Sequence, residues 1–169
     1  MEEKNQPGIN IGKPLQIGLV VKDARRTANL LTNLLGIGPF RFVEWPSDRP
    51  DMRSFYNEEP GDFRLLEAFA NFENIELELI ETVSGKSGYS EYLAEHGEGI
   101  HHLLFEVSDL ETAVSWFADQ GLPVKMGGTG NRPGYTWLHI DTFSLLGWSL
   151  ELRNKEADPD GKAPIINNL

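Results

Sequence analysis

The chain has 169 residues, a formal charge of −11 and no cysteine, and these facts exclude several classes of protein. With 40% hydrophobic residues, this length suffices for one domain or for two small fused modules. The negative charge disfavours nucleic acid as a partner, and the absence of cysteine excludes disulfides and thiolate metal sites.

The apolar runs and the N-terminal sequence indicate where in the cell the protein is expected. The longest runs, such as IGLVV and HLLF, are far shorter than the roughly 18 residues of a membrane span, so we expect no membrane partner. The start MEEKNQPGINIGK lacks a basic stretch followed by an apolar one, so we expect a cytoplasmic protein.

An anionic small molecule is expected as a ligand only where arginines lie close together around the path by which it enters. The candidates are Arg25, Arg26, Arg41 and Arg132.

The first half of the chain predicts one strand, one helix and three further strands. The first strand begins at Gln16, and the helix follows an N-cap at Asp23 and ends at Gly36. Its apolar positions at helical spacing are Leu30, Leu31 and Leu34. Further strands are predicted over 38–44, 63–70 and 74–81. The segment 46–62 is rich in proline and charge, and it predicts a loop of a length that often forms a functional lid.

The second half repeats this order. HLLFEVSDLETAVSWFADQG, from His102, aligns with QIGLVVKDARRTANLLTNLLG, and a shared Leu-Glu-Leu core places Glu78 on Glu151. In the second helix, Ser108 and Glu111 have the spacing of a capping box. Strands are predicted over 123–125, 135–141 and 147–154. The prediction is an α+β fold of two tandem βαβββ modules, 13–83 and 100–154, in a curved mixed sheet with helices outside, with a helical connector, 84–99, and a polar tail, 155–169.

Strand alternation indicates which side chains share a face. Adjacent residues of a strand point to opposite faces, so His101 and His102 are predicted to lie on different sides. His102 falls opposite the apolar face of its strand, and the same alternation gives this type of face to three more polar residues, Gln16, Glu78 and Glu151. One imidazole, one amide and two carboxylates suit a divalent cation such as zinc, cobalt, nickel or manganese.

Each of these residues also has a purely structural interpretation. Gln16 can satisfy a strand end, His102 can be a hydrogen-bonded core histidine, and alternating glutamates are often solvated. Their joint appearance at matched positions of a repeat favours one metal site over four separate coincidences. The aromatic residues Trp116, Trp137 and Trp148 are predicted to belong to the core.

The repeated unit, the starts QIGLVVKD and HLLFEVSD, and the ends ELELIE and SLELRN resemble the vicinal oxygen chelate superfamily of glyoxalases, bleomycin resistance proteins and dioxygenases. The resemblance runs from about Lys13 to Arg153, is densest in EYLAEHGEGIHHLLFEVSDLETAV, and is greatest to methylmalonyl-CoA epimerases and then to glyoxalase I-like proteins. It implies that the metal ligands are Gln16, Glu78, His102 and Glu151. The epimerases carry histidine in place of Gln16 and glutamine in place of Glu78, whereas eukaryotic glyoxalase I has the set found here.

The resemblance implies a metal-dependent isomerase, epimerase or lyase that removes a proton next to a carbonyl. The bound cation would polarise that carbonyl, and Glu151 would move the proton. The epimerases use a second glutamate from the strand before Glu78. Here that position corresponds either to Glu67 or to Leu66.

The resemblance further implies a small substrate with vicinal oxygens, such as a CoA or glutathione thioester, and a homodimer. Two other classes remain open at this point. One is a metal-free small-molecule binding protein, like the antibiotic-sequestering members of the superfamily. The other, an extradiol dioxygenase, requires two histidines and one carboxylate around iron, and Gln16 in place of a histidine counts against it.

Overall fold

The computed structural model describes residue 9 and residues 11–46 and 51–157. The elements of the first half are β1 (Gln16–Val20), α1 (Ala24–Leu35), β2 (Arg41–Trp45), β3 (Ser54–Tyr56), β4 (Glu59–Pro60), β5 (Arg64–Phe72) and β6 (Ile75–Ser84). Those that follow are α2 (Gly88–His96), β7 (Gly99–Val107), α3 (Leu110–Asp119), β8 (Val124–Thr129), β9 (Thr136–Ile140), α4 (Phe143–Leu146) and β10 (Ser149–Asn154). Most of the predicted tail, 158–169, lies outside the described residues.

The described strands form one curled mixed sheet in the order β2-β5-β6-β1-β7-β10-β9-β8-β3-β4. The first strand of each half pairs in parallel with the last strand of the same half, β1 with β6 and β7 with β10. The two first strands, β1 and β7, pair antiparallel at the centre of the sheet. This arrangement confirms the predicted α+β fold of two βαβββ units. It also places the strands that carry the predicted ligands side by side.

Helix α1 packs on the sheet through small residues. Its buried positions are Ala24 and Ala28, with Leu31 partly buried in the same cluster. Leu30 and Leu34, which the sequence indicated as apolar positions at helical spacing, are 46% and 76% exposed. Residues 24, 28 and 31 form one stripe along the helix, whereas residues 30 and 34 form a second stripe that points outward.

The helix ends are set by local hydrogen bonds. Asp23 caps α1 as predicted, accepting from the backbone N–H of Arg26 at 2.8 Å, and Gly36 ends the helix in the left-handed conformation. The predicted cap of α3 at Ser108 is wrong. Asp109 is the N-cap and accepts from the backbone N–H of Thr112 at 2.9 Å. A carboxylate at this position is an equally good cap, and here it begins the helix one residue later.

The segment 46–62 contains strands where a loop is predicted. β3 and β4 lie within it, and β3 pairs antiparallel with β8 of the second half. Phe55 and Tyr56 are buried, so this segment contributes to the core. Residues 47–50 lie outside the described part of the chain. No helix within the described ranges has both the length and the apolar character needed to cross a membrane.

A β-bulge interrupts the pairing of β1 with β7. Gly18 lies opposite His102, but the next residue, Leu19, lies opposite Ile100, so His101 has no opposite residue on β1. A bulge re-aims the side chain of the extra residue. Both histidines are buried, and their Nδ1 atoms are 3.2 Å apart. The prediction that the two rings lie on opposite sides is therefore wrong.

Candidate functional site

A cluster of three buried side chains lies at the centre of the sheet. Glu78 comes from β6, His102 from β7 and Glu151 from β10, and one nitrogen or oxygen of each lies within 4.8 Å of the other two. Nε2 of His102 is 3.2 Å from Oε2 of Glu78 and 2.9 Å from Oε2 of Glu151. One imidazole nitrogen and two carboxylate oxygens are a donor set that divalent transition metals accept.

Two atoms of this cluster have no hydrogen-bond partner. They are Nε2 of His102 and Oε2 of Glu151, both fully buried. They lie 2.9 Å apart as an ion pair, although neither atom takes part in a hydrogen bond of good geometry. Buried polar atoms are nearly always satisfied, so an unsatisfied pair points to a bound ion or water. A divalent cation held by both atoms fits this observation.

The ring of His102 lies directly against Gly18 of β1. A Cβ built at position 18 would be 1.9 Å from Cε1 of His102 and 2.2 Å from Nε2. Only glycine leaves room for the imidazole in this orientation. Gly18 is not among the residues that the sequence pattern indicated, although a glycine inside a strand often marks the close approach of another group.

Gln16, the fourth predicted ligand, is buried and lines the same cavity as Glu78 and Glu151. Its amide nitrogen donates to Oε1 of Glu76 at 2.8 Å. A cation would be bound through the amide oxygen, which this hydrogen bond does not use. The hydrogen bond to Glu76 orients the amide, and the role of Gln16 as a ligand stays a prediction.

The charges of the cluster alter the pKa values of its members. Burial lowers the pKa of His102, but the nearby Glu151 and Glu78 carboxylates outweigh this effect and raise it to about 10. Burial raises the pKa of Glu78, while contact with His102 acts in the opposite direction. In the metal-free protein the His102 ring is therefore a cation between two acidic groups. A metal ion at Nε2 has to displace a proton.

A third glutamate reaches the cavity from β5. Glu67 is buried, and the side-chain amide of Asn131 donates to its Oε2 at 3.0 Å. Burial raises the pKa of Glu67 well above its usual value, and the charge of Glu78 adds to the effect. The neighbouring Leu66 packs in the cluster below α1. Of the two residues that the sequence left open, Glu67 is therefore the one that faces the cavity.

The cavity has a volume of about 150 Å³ and combines aromatic walls with cationic groups. Of the four arginines singled out in the sequence, Arg41 and Arg132 line it, whereas Arg25 packs over the ring of Phe42 at 4.6 Å. Arg153 also lines it and is paired with Glu106 at 2.7 Å. The aromatic walls are Trp45, Phe69, Tyr89, Tyr135 and Trp137. Trp137, predicted as a core residue, thus borders the cavity as well as the core.

His139 is a buried residue for which the sequence indicated no partner. Its Nδ1 lies 3.0 Å from Oγ of Ser149, and its Nε2 lies 3.0 Å from the hydroxyl of Tyr89. Because the Ser149 hydroxyl donates to the carbonyl of Ile140, Nδ1 of His139 donates and Nε2 accepts from Tyr89. Burial and the positive charge of His102 lower the pKa of His139, so this ring is neutral. It packs against the ring of His102, with ring centroids 4.9 Å apart.

A family model with the description Glyoxalase/Bleomycin resistance protein/Dioxygenase superfamily matches residues 15–136. The chain belongs to this superfamily. The match covers the strands that carry Gln16, Glu78 and His102, and it ends before the strand that carries Glu151. No curated protein matches this superfamily member significantly.

Solved structures share the fold of this superfamily member at low sequence identity. Methylmalonyl-CoA epimerase from Mycobacterium tuberculosis matches with a TM-score of 0.63 and 18% identity, over 90% of this chain and 94% of its own. A hypothetical protein from Bacillus halodurans matches with a TM-score of 0.62 and 20% identity, over 86% and 96%. A variant of the Streptomyces coelicolor epimerase in complex with 2-nitronate-propionyl-CoA matches with a TM-score of 0.61 and 19% identity, over 88% and 100%.

Proposed function

We propose that this protein is a metal-dependent enzyme that removes a proton from the carbon next to a carbonyl, acting as an epimerase on an acyl thioester. The observation that carries the proposal is the cluster of Glu78, His102 and Glu151, two of whose buried atoms lack a hydrogen-bond partner. The buried acid Glu67 lines the same cavity.

The proposed ligands of the cation are Gln16, Glu78, His102 and Glu151, and the cation is zinc, cobalt, nickel or manganese. When bound, such an ion polarises the substrate carbonyl and stabilises the enolate that forms when the proton leaves. The superfamily to which the chain belongs and the donor set of the cluster support this assignment.

Two carboxyl groups of the chain are placed to move the proton. Glu151 is the proposed base that takes it from the substrate carbon. Burial raises the pKa of Glu67 and so favours its protonated form, and the Asn131 amide orients the carboxyl group. Glu67 and Glu151 come from strands that three others separate, so they approach the cavity from different sides. A two-base epimerisation uses this arrangement, with one group removing a proton and the other returning one to the opposite face.

The cavity walls support an anionic acyl group as the substrate. The chain carries a net charge of −11, and five glutamates line the cavity with three arginines, so these arginines are the local positive charges that an anion can meet there. Arg41 and Arg132 line the cavity beside its aromatic walls. The epimerase of similar fold from Streptomyces coelicolor is solved with a CoA thioester analogue, which supports a CoA thioester here.

Solvent exchange tests the proposal. The purified protein is stripped of metal, reloaded with each candidate ion and incubated in D₂O with methylmalonyl-CoA or with the methylglyoxal–glutathione adduct. We expect deuterium at the carbon next to the thioester carbonyl of methylmalonyl-CoA, detected by NMR or mass spectrometry. Turnover of the glutathione adduct alone would assign a glyoxalase I-like lyase. Absence of exchange with both compounds and all ions contradicts the proposed reaction.

The second candidate is a metal-free small-molecule binding protein. The observation that favours it is that the His102 cation pairs with both Glu78 and Glu151 without an ion. Metal analysis separates the two candidates. The binding protein is preferred if the purified chain holds no stoichiometric divalent metal and gains no thermal stability when one is added.

The homodimer and the cytoplasmic location stay predictions. Light scattering, which measures the mass in solution, tests the homodimer.

A further inference from the structure

His101 is a buried residue next to the proposed ligand His102, and the proposed reaction does not use it. Nδ1 of His101 lies 3.2 Å from Nδ1 of His102. At this distance one of the two nitrogens carries the hydrogen and the other accepts it. The position of that hydrogen decides which nitrogen of His102 is available to an ion.

The other nitrogen of His102 indicates the direction of this hydrogen bond. Nε2 faces the carboxylates of Glu78 and Glu151, at 3.2 Å and 2.9 Å. A neutral histidine that binds a metal ion through Nε2 carries its hydrogen on Nδ1, and the partner of that N–H fixes the tautomer. Nδ1 of His102 therefore donates and Nδ1 of His101 accepts.

We propose that His101 is a positioning residue, whose Nδ1 accepts from Nδ1–H of His102 and so keeps Nε2 of His102 free and directed at the two carboxylates. This inference rests on the metal site of the proposed function and adds a residue to it. The partner of a metal-bound histidine is usually a carboxylate, a backbone carbonyl or water. Here a second imidazole takes that place.

The backbone and the surrounding rings both hold His101 in this position. The β-bulge of β7 turns its side chain towards that of its neighbour, which regular alternation would prevent. Three aromatic rings contact it edge to face, with centroid distances of 4.9 Å for Tyr89, 5.2 Å for Tyr92 and 5.3 Å for Phe143. An acceptor locked by packing keeps the ligand in a productive orientation before the ion arrives.

A matched pair of variants tests this role. Asparagine and leucine have similar shapes, but only asparagine offers an acceptor near the position of Nδ1. In a titration of metal-stripped protein with cobalt, followed by visible absorption, His101→Leu should weaken binding about 10- to 100-fold. His101→Asn should stay close to the wild type. In the zinc-loaded wild type, long-range ¹H–¹⁵N NMR should show a hydrogen on Nδ1 of His102.

The outcomes separate this inference from the proposed function. Wild-type cobalt affinity in His101→Leu, equal weakening in both variants, or an Nδ1 of His102 without hydrogen overturns the role of His101 and leaves the proposed reaction standing. A wild-type protein that binds neither cobalt nor zinc overturns both. The NMR measurement uses the wild type, so an Nδ1 of His102 without hydrogen overturns the inference even if His101→Leu does not fold.

Discussion

At position 18, the absence of a side chain decides where the imidazole of His102 can lie. A methyl group there would overlap the ring, with a distance of 1.9 Å to Cε1. We predict that Gly18→Ala displaces the ring and weakens cobalt binding at least about tenfold, the usual cost of disturbing a ligand's support. Isothermal titration of metal-stripped protein measures this effect. Gly12→Ala is the control, since a Cβ at Gly12 meets nothing within 4 Å. Equal affinity in both variants would contradict the prediction.

The two proposed proton-transfer residues should differ in how their loss affects the reaction. Glu151→Gln removes the base, and deuterium exchange should fall by about 10²- to 10⁴-fold. Glu67→Gln should block the inversion of configuration while Glu151 still exchanges the proton on one face. Chiral analysis of the product and its deuterium content measure the two effects. Glu44→Gln, on an exposed position of β2, is the control and should act like the wild type.

A one-base mechanism would give a different result. If Glu67→Gln still inverts the configuration at the wild-type rate, Glu67 is not the second acid. The hydrogen bond from Asn131 to Glu67 then serves only to satisfy a buried carboxyl group.

At the scale of single elements, the start of α3 offers a test of the cap assignment. Asp109 accepts from both the backbone N–H and the hydroxyl of Thr112, at 2.9 Å and 2.6 Å. Asp109→Ala should lower the free energy of unfolding, because the N-cap side chain satisfies a backbone N–H at the start of the helix. Ser108→Ala should change it little, because Ser108 is exposed and is not the cap. Urea unfolding of both variants measures the difference, and the reverse order would restore Ser108 as the cap.

Whole elements differ in how far the sequence determines them. Residues 16–20 and 75–84 alternate between polar and apolar side chains, and β1 and β6 lie there. The segment that contains Phe55 has no such pattern, and its strand exists because β8 of the other half supplies the pairing partner. Likewise, alternation within β7 cannot reveal a bulge, since the extra residue is defined by its register with β1.

At the scale of the whole molecule, the buried ionisable cluster should make the metal-free protein less stable as the pH rises. The pKa of His102 is about 10 in the folded protein, whereas the ordinary value for histidine, which applies to the unfolded chain, is 6.5. Its stabilising contribution is fully present below pH 6.5 and is lost as the pH rises through about 10. The raised pKa values of Glu67 and Glu78 act in the same direction, because these groups release protons on unfolding.

Thermal unfolding of the chelator-treated protein between about pH 5 and pH 10 measures this dependence. We expect the melting temperature to fall across the range, and His102→Gln should flatten the upper part of the curve. Saturating zinc should raise the melting temperature most at high pH, because the ion then has no proton to displace from Nε2. A melting temperature that rises between pH 7 and pH 10 in the metal-free protein would contradict the assignment of charges.

The repeat, the α+β class and the shared face of Gln16, Glu78, His102 and Glu151 are predictable from the sequence. These follow from local rules, since side-chain alternation and helix periodicity depend only on residues near one another in the chain.

Other features of the site depend on the tertiary structure. Glu67 reaches the cavity, His101 contacts His102, and Gly18 makes room for the ring. The cavity walls include Arg41 and Arg132. Each of these depends on registers and packing between segments far apart in sequence, where small shifts re-aim whole side chains.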